Sequence, residues 1–329
     1  MRGVLVVLGL ALVAAAPALA QPEPGPGFRI EALVHDLAAP SGAARDGDAI
    51  VFTDLRSGRV VRRGPDGSTV LVHDGLPTGK DVMDQPTGPY KVQVLNGRVF
   101  VAQGWQDVER GEGPYDHAIL ELGEGAPRVV NREFWNPYDF LWGGDAWYVA
   151  DAGRNALLRL DLSGALTEVI VFPRLVHESE AMQTLSPTEF KAGESYEVDA
   201  VPTGVALAGD RIYVALFGGF PFFDGGGLVV SVPKAGGVER ARIEVQTLDT
   251  PTDVAFDGAG RLLVLEMARY DLEKGFLPGT GRLLRVDLRD GSRRVLASGL
   301  SFPVTVLPEA QGALIVEMSG AILRLTPAP

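Results

Sequence analysis

Asp139, Asp151, Asp253 and Glu266 are four acids whose spacing could bring them around one axis, and their chemistry would be that of a hard cation. Ca²⁺ takes carboxylate and carbonyl oxygens, so a calcium site built from these four is one expectation. Two of them follow a proline by two residues (Pro137, Pro251), and two end the next apolar segment. Lys91, also two residues after a proline, argues the other way, because it could simply pair with Asp139. An acid after a strand also serves as a cap for loop amides.

Histidine is scarce, at four residues. His35 and His73 end similar apolar segments and read as structural. His117 and His177 fall in inserts, and with the acids they could form a metal-assisted or general-base hydrolase site. No cysteine is present, which removes thiol nucleophiles and thiolate metal sites. No Gly-x-Ser-x-Gly elbow, phosphate loop or His-Glu-x-x-His occurs. The first expectation is therefore no catalytic residue and no cofactor. The alternative is a calcium-dependent, lactonase-like hydrolase using His117 or His177.

A second group of residues is aromatic. Trp105, Tyr115, Phe217, Phe220, Phe222, Phe223, Tyr270 and Phe276 all lie in enlarged connecting segments. They suit either an apolar binding patch or a small satellite core for the loops themselves.

The elements that must position these residues are set by a repeat. Pro40, Pro89, Pro137, Pro202, Pro251 and Pro303 each open a short apolar segment, at spacings of 49, 48, 65, 49 and 52 residues. Such a period, filled with β-type segments, predicts a propeller of four-stranded blades. Second strands such as Tyr148-Val149-Ala150 and Leu263-Val264-Leu265 are nearly continuous in apolarity, as strands buried on both faces are. The sixth repeat ends before a fourth strand, and Arg29 to Leu37 carries the missing pattern. The fold class expected is all-β, a six-bladed β-propeller closed by the N-terminal strand completing the last blade. In such blades the second-to-third-strand loops and the interblade loops share one face, which is where every enlarged segment lies.

Residues 1–20 read as a secretory signal peptide, since Arg2 precedes an apolar run too short to span a bilayer, and Ala18-Leu19-Ala20 suits cleavage. Residues 21–27 read as a flexible leader and 28–329 as the propeller, with an acidic insertion at about 174–199. The expected location is periplasmic or secreted. The net charge of −12 disfavours nucleic acid as a partner, and no second apolar stretch is long enough to span a membrane.

Val201-Pro202-Thr203-Gly204-Val205-Ala206-Leu207, leading through Tyr213-Val214 to Phe217-Gly218-Gly219-Phe220-Pro221-Phe222, resembles the ScyD/ScyE family of scytonemin-biosynthesis type. Tyr148 to Asn155, Leu158-Arg159-Leu160 and Ser301-Phe302-Pro303-Val304-Thr305 fit the same pattern, and the resemblance runs from about Phe28 to Thr326. The chain is similar, more loosely, to NHL-repeat propellers. The resemblance implies an exported six-bladed propeller and supplies no catalytic residues. Calcium-dependent lactonases and pyrroloquinoline-quinone sugar dehydrogenases share the wider architecture, but the asparagines and the histidine they use in the channel are missing here. The expectation is a non-catalytic propeller that binds a small molecule or an envelope protein on its aromatic face.

Overall fold

A computed structural model describes residues 21–81, 83–107, 110–178, 193 and 195–329; the predicted leader at 1–20 lies outside them. The described chain is all-β apart from a 3₁₀ turn at Val238–Arg240. Five four-stranded sheets and one five-stranded sheet form the six blades. The innermost strands are Pro40–Asp46, Pro89–Leu95, Pro137–Trp142, Pro202–Ala208, Pro251–Phe256 and Pro303–Glu309, so each repeat proline begins the strand that lines the central channel. Proline is tolerated there because the first residue of a strand need not donate to the ladder.

The second strands explain why the blades stack. Phe52, Val101, Val149, Val214, Val264 and Ile315, each two residues before the end of its second strand, occupy equivalent places and are all buried. Six hydrophobic clusters result, one between each pair of adjacent blades and one closing the circle between blades six and one. The ring closes as the sequence predicts. Phe28–Val34 pairs antiparallel with Ala321–Pro327, setting Ile30 opposite Leu325 and Ala32 opposite Leu323. Closure gives the last blade its fourth, outermost strand, like the other blades.

One expectation is corrected. Residues 21–27 are not a loose leader, because Glu23–Pro24 adds a fifth strand to blade five opposite Ala297 and Ser298, and the Gly25 N–H donates to the Leu296 carbonyl. The 65-residue spacing holds a hairpin, Leu175–Glu178 paired with Ser195–Val198; residues 179–192 and 194 of that insertion lie outside the described residues. Among the described residues no helix is long and apolar enough to cross a membrane.

A bulge opens the inner strand of every blade. Pairing skips between Pro40 and Ala43, Pro89 and Lys91, Pro137 and Asp139, Pro202 and Val205, Pro251 and Asp253, and Pro303 and Thr305. A bulge re-aims side chains, so the residue after each proline and the one after that both become available to the channel.

Candidate functional site: a hub cavity above a charged plug

Each blade repeats one hydrogen bond at the hub. The residue after the second strand (Leu55, Gly104, Ala152, Phe217, Met267 or Met318) donates its N–H to the carbonyl just before the repeat proline, at 2.8 to 3.0 Å. This ring of six bonds frames the mouth of the channel. The framing residues are large and apolar in four blades. Ala152 and Gly104 are the small exceptions, and at Gly104 a Cβ would lie 2.6 Å from the Tyr90 ring.

Within the frame is a cavity of about 200 Å³. Its floor is the bulge residues Tyr90 and Tyr138, whose ring centroids are 5.0 Å apart at 34°, with Leu55 and Met318 packed beside them. Burial raises the pKa of both phenols, so they remain neutral across the physiological range. Phe217, Phe222 and Phe276 form one wall, with ring centroids 5.1 to 5.9 Å apart. Tyr270 and Phe220 extend this wall outward, Phe220 being 52% exposed. The polar contributions come from Asn136, Thr203, Gln85 and Asp81. The Asn136 Oδ1 is buried without a partner among the described residues, while Thr203 already donates to the Pro251 carbonyl at 2.8 Å.

The backbone is strained where it meets this cavity. Val201 has φ 50° and Phe222 has φ 54°, a region that β-branched and bulky residues avoid. Strain of this kind persists only where surrounding structure enforces it, and it concentrates at ligand sites. Val201 is held on both sides, its N–H donating to Asn155 Oδ1 at 2.8 Å and its carbonyl accepting from Phe217.

Beneath the tyrosines the channel is plugged by charge. Lys91 reaches from blade two across the axis to blades five and six, donating to Thr305 Oγ1 at 2.7 Å and the Val304 carbonyl at 2.8 Å, with Asp253 Oδ2 at 3.1 Å. Asp253 also accepts from the Val306 and Val254 amides, and Asp139 from those of Val205 and Phe140. Each acid therefore ties its own bulge to the next blade. Burial raises the pKa of both acids, and Lys91 opposes it.

The four acids expected to chelate a cation do not converge. Asp151 turns away from the channel into its own interblade loop, where the Trp135, Asn136 and Arg154 amides donate to it. Glu266 likewise accepts from the Asp249 amide and pairs with Arg282 at 2.6 Å. Asp54 and Glu317, at the same place in blades one and six, hold the Ala38, Ala39 and Ser301 amides. These acids are loop caps, and Lys91 pairs with Asp253 rather than with the expected Asp139. Among the described residues, no group of three or more His, Asp or Glu could hold a metal ion, so the donor set does not fit calcium and no chemistry is routed through one.

The two candidate catalytic histidines are also apart. His117 stacks on Trp105 at 5.4 Å, beside the segment that Trp105 pins through the Lys80 carbonyl. His177 sits edge-on to Phe223 at 4.2 Å, and burial lowers its pKa. Neither lines the hub cavity.

The eight aromatic candidates divide. Phe217, Phe222 and Phe276 line the cavity, and Phe220 and Tyr270 pack against them. Trp105, Tyr115 and Phe223 do not line it. Tyr115 packs on the core between blades one and two, and Phe223 forms a satellite core with Val198, Leu175 and Tyr196 under the inserted hairpin. The residues that sequence reasoning missed are Tyr90, Tyr138, Asn136, Asp81, Met267 and Met318. Their signal was positional, since two immediately follow a repeat proline and two immediately follow a second strand.

No protein-family model and no curated protein sequence matches the chain. Solved structures do. A gluconolactonase from Xanthomonas campestris superposes with a TM-score of 0.62 at 16% identity, over 96% of this chain and 99% of that one. Virginiamycin B lyase from Staphylococcus aureus gives 0.55 at 11%, over 92% and 100%. The quinone-bound aldose sugar dehydrogenase from Streptomyces coelicolor gives 0.56 at 14%, over 92% and 99%. At these identities the likeness establishes the six-bladed propeller fold.

Proposed function

We propose that this chain is an exported small-molecule propeller of ScyD/ScyE type whose hub cavity holds a compact, largely apolar organic ligand. The observation that carries this reading is a space of about 200 Å³ at the mouth of the channel, lined by five aromatic rings and three methionines. Concave, apolar walls with a few convergent polar groups are the usual form of a ligand site. The space suits a single ring with a short substituent, since a cavity of roughly 150 Å³ already takes benzene. A space of this size favours the small molecule over the envelope protein as the occupant.

A second reading, that the chain also transforms what it holds, is supported by its structural neighbours, which include a gluconolactonase, a lyase and a sugar dehydrogenase. Neither the four-acid calcium set nor the His117/His177 pair supports it, for the geometric reasons above. Calorimetric titration of single-ring fragments into the wild type and Phe222→Ala tests the binding reading: the wild type binds and the variant loses about tenfold in affinity. Equal affinity for both proteins counts against the cavity. Mass analysis of the bound fragment after incubation separates storage from turnover.

A further inference from the structure

Resting on that reading, we propose that the hub cavity selects an organic cation, an amine or quaternary ammonium on an apolar body, by cation–π contact with its aromatic walls and by Asp81 at its rim. Among the described residues the lining contains no lysine, arginine or histidine, and its one charged member is Asp81. Asp81 makes no ion pair among the described residues. Its Oδ1 accepts from the Met83 and Gln85 amides at 2.8 and 2.9 Å, which fixes the carboxylate without neutralising it.

The carboxylates beneath the floor have the same sign, and Lys80, next to Asp81 in the chain, is paired with Asp84 at 2.6 Å. Under the Tyr138 floor, Asp139 and Asp253 share one cation, Lys91, whose contacts are already made to Asp253, Thr305 and the Val304 carbonyl. Burial is the main cause of the raised Tyr90 and Tyr138 pKa values, and the Asp81 carboxylate adds to the first, those of Asp253 and Asp139 to the second. Aromatic faces attract cations through their quadrupole, most strongly where water is excluded. The polarisable sulfurs of Met267 and Met318 add a soft surface of the same preference. An anion would find no donor charge in this space, and a neutral ligand would leave the Asp81 charge unused.

The test compares three probes of one shape: phenyltrimethylammonium, tert-butylbenzene and benzenesulfonate, titrated into the full folded chain. The expected result is about tenfold tighter binding of the ammonium than of its neutral isostere, with no binding of the sulfonate. Asp81→Asn keeps the Oδ1 acceptor; it should weaken the ammonium about fivefold and leave tert-butylbenzene within about twofold. Equal or tighter binding of tert-butylbenzene in the wild type overturns the cation and leaves the cavity standing. Failure of both phenyltrimethylammonium and tert-butylbenzene to bind overturns the cation and the cavity together. Loss of folding in Asp81→Asn leaves the charge comparison in the wild type as the deciding result.

Discussion

Lys91 Nζ lies 3.1 Å from Asp253 Oδ2 in the middle of the channel, with side chains 4% and 7% exposed, joining blade two to blade five across the axis. Removing one member of such a pair strands the other charge in a dry site, which typically costs 3–5 kcal/mol. Lys91→Met should lower unfolding free energy by about that much in urea titration. Adding Asp253→Asn removes the stranded charge but keeps an oxygen for only one of the Val254 and Val306 amides, which use different carboxylate oxygens, so it should recover part of the loss. A double variant no better than the single one would mean that the pair is not what Lys91 contributes.

Glu317 supplies a pH signature. Burial raises its pKa from 4.5 to about 7, with the Ser301 amide and Ser319 opposing. The folded state therefore holds this proton more tightly than the unfolded chain does. Its contribution is full below pH 4.5 and is lost as pH rises through 7. Glu317→Gln should remove that part of the slope, a difference of at most about 3 kcal/mol between its stability profile and that of the wild type. Parallel profiles from pH 4 to 8 would contradict the assignment. Asp139 has a slope of the same sign, so only the difference between the two proteins is diagnostic.

Phe222 and Phe223 are neighbours in sequence with opposite duties. Phe223→Ala empties the satellite core under the Leu175–Val198 hairpin and should cost about 3 kcal/mol in stability with ligand affinity retained. Phe222→Ala should do the reverse, lowering fragment affinity about tenfold while moving the melting temperature by about 2 °C or less. Thermal unfolding and titration of the two single variants read this directly.

Gly204 marks how closely blades four and five approach. A Cβ there would lie 2.5 Å from the Asp253 Cα, as one at Gly42 would lie 2.6 Å from the Lys91 Cα. Gly204→Ala should destabilise by about 1–3 kcal/mol through overpacking. Gly258→Ala, where nothing lies within 4 Å, is the matched control and should be neutral.

The architecture was legible because it is written in repeated residue types. Prolines at channel-strand starts, double-sided valine-rich second strands and a fourth-strand pattern displaced to Arg29–Leu37 led to six blades and their closure. The site was legible only in part. Aromatic loops pointed to the face that bears the hub cavity and to its lining residues Phe217, Phe222 and Phe276, but alternation between neighbouring residues sent Phe223 into a different core. Asp151 and Glu266 carry the right chemistry for a metal, yet the interblade loop folds back over each second strand and its free amides claim the carboxylates. Tyr90 and Tyr138 were hidden by the bulges, which add one residue to the inner strand and so turn the position after the proline toward the hub. Periodicity alone carries no mark of such an insertion.

Three of the five methionines, Met83, Met267 and Met318, line the hub cavity. Methyl-carbon-labelled methionine therefore reports on it residue by residue in NMR spectra. On titration with phenyltrimethylammonium, the Met267 and Met318 signals should shift together along one saturable curve, and Phe222→Ala should weaken that curve about tenfold. Saturable binding that leaves Met267 and Met318 unmoved would place the ligand elsewhere and contradict the hub as the working site.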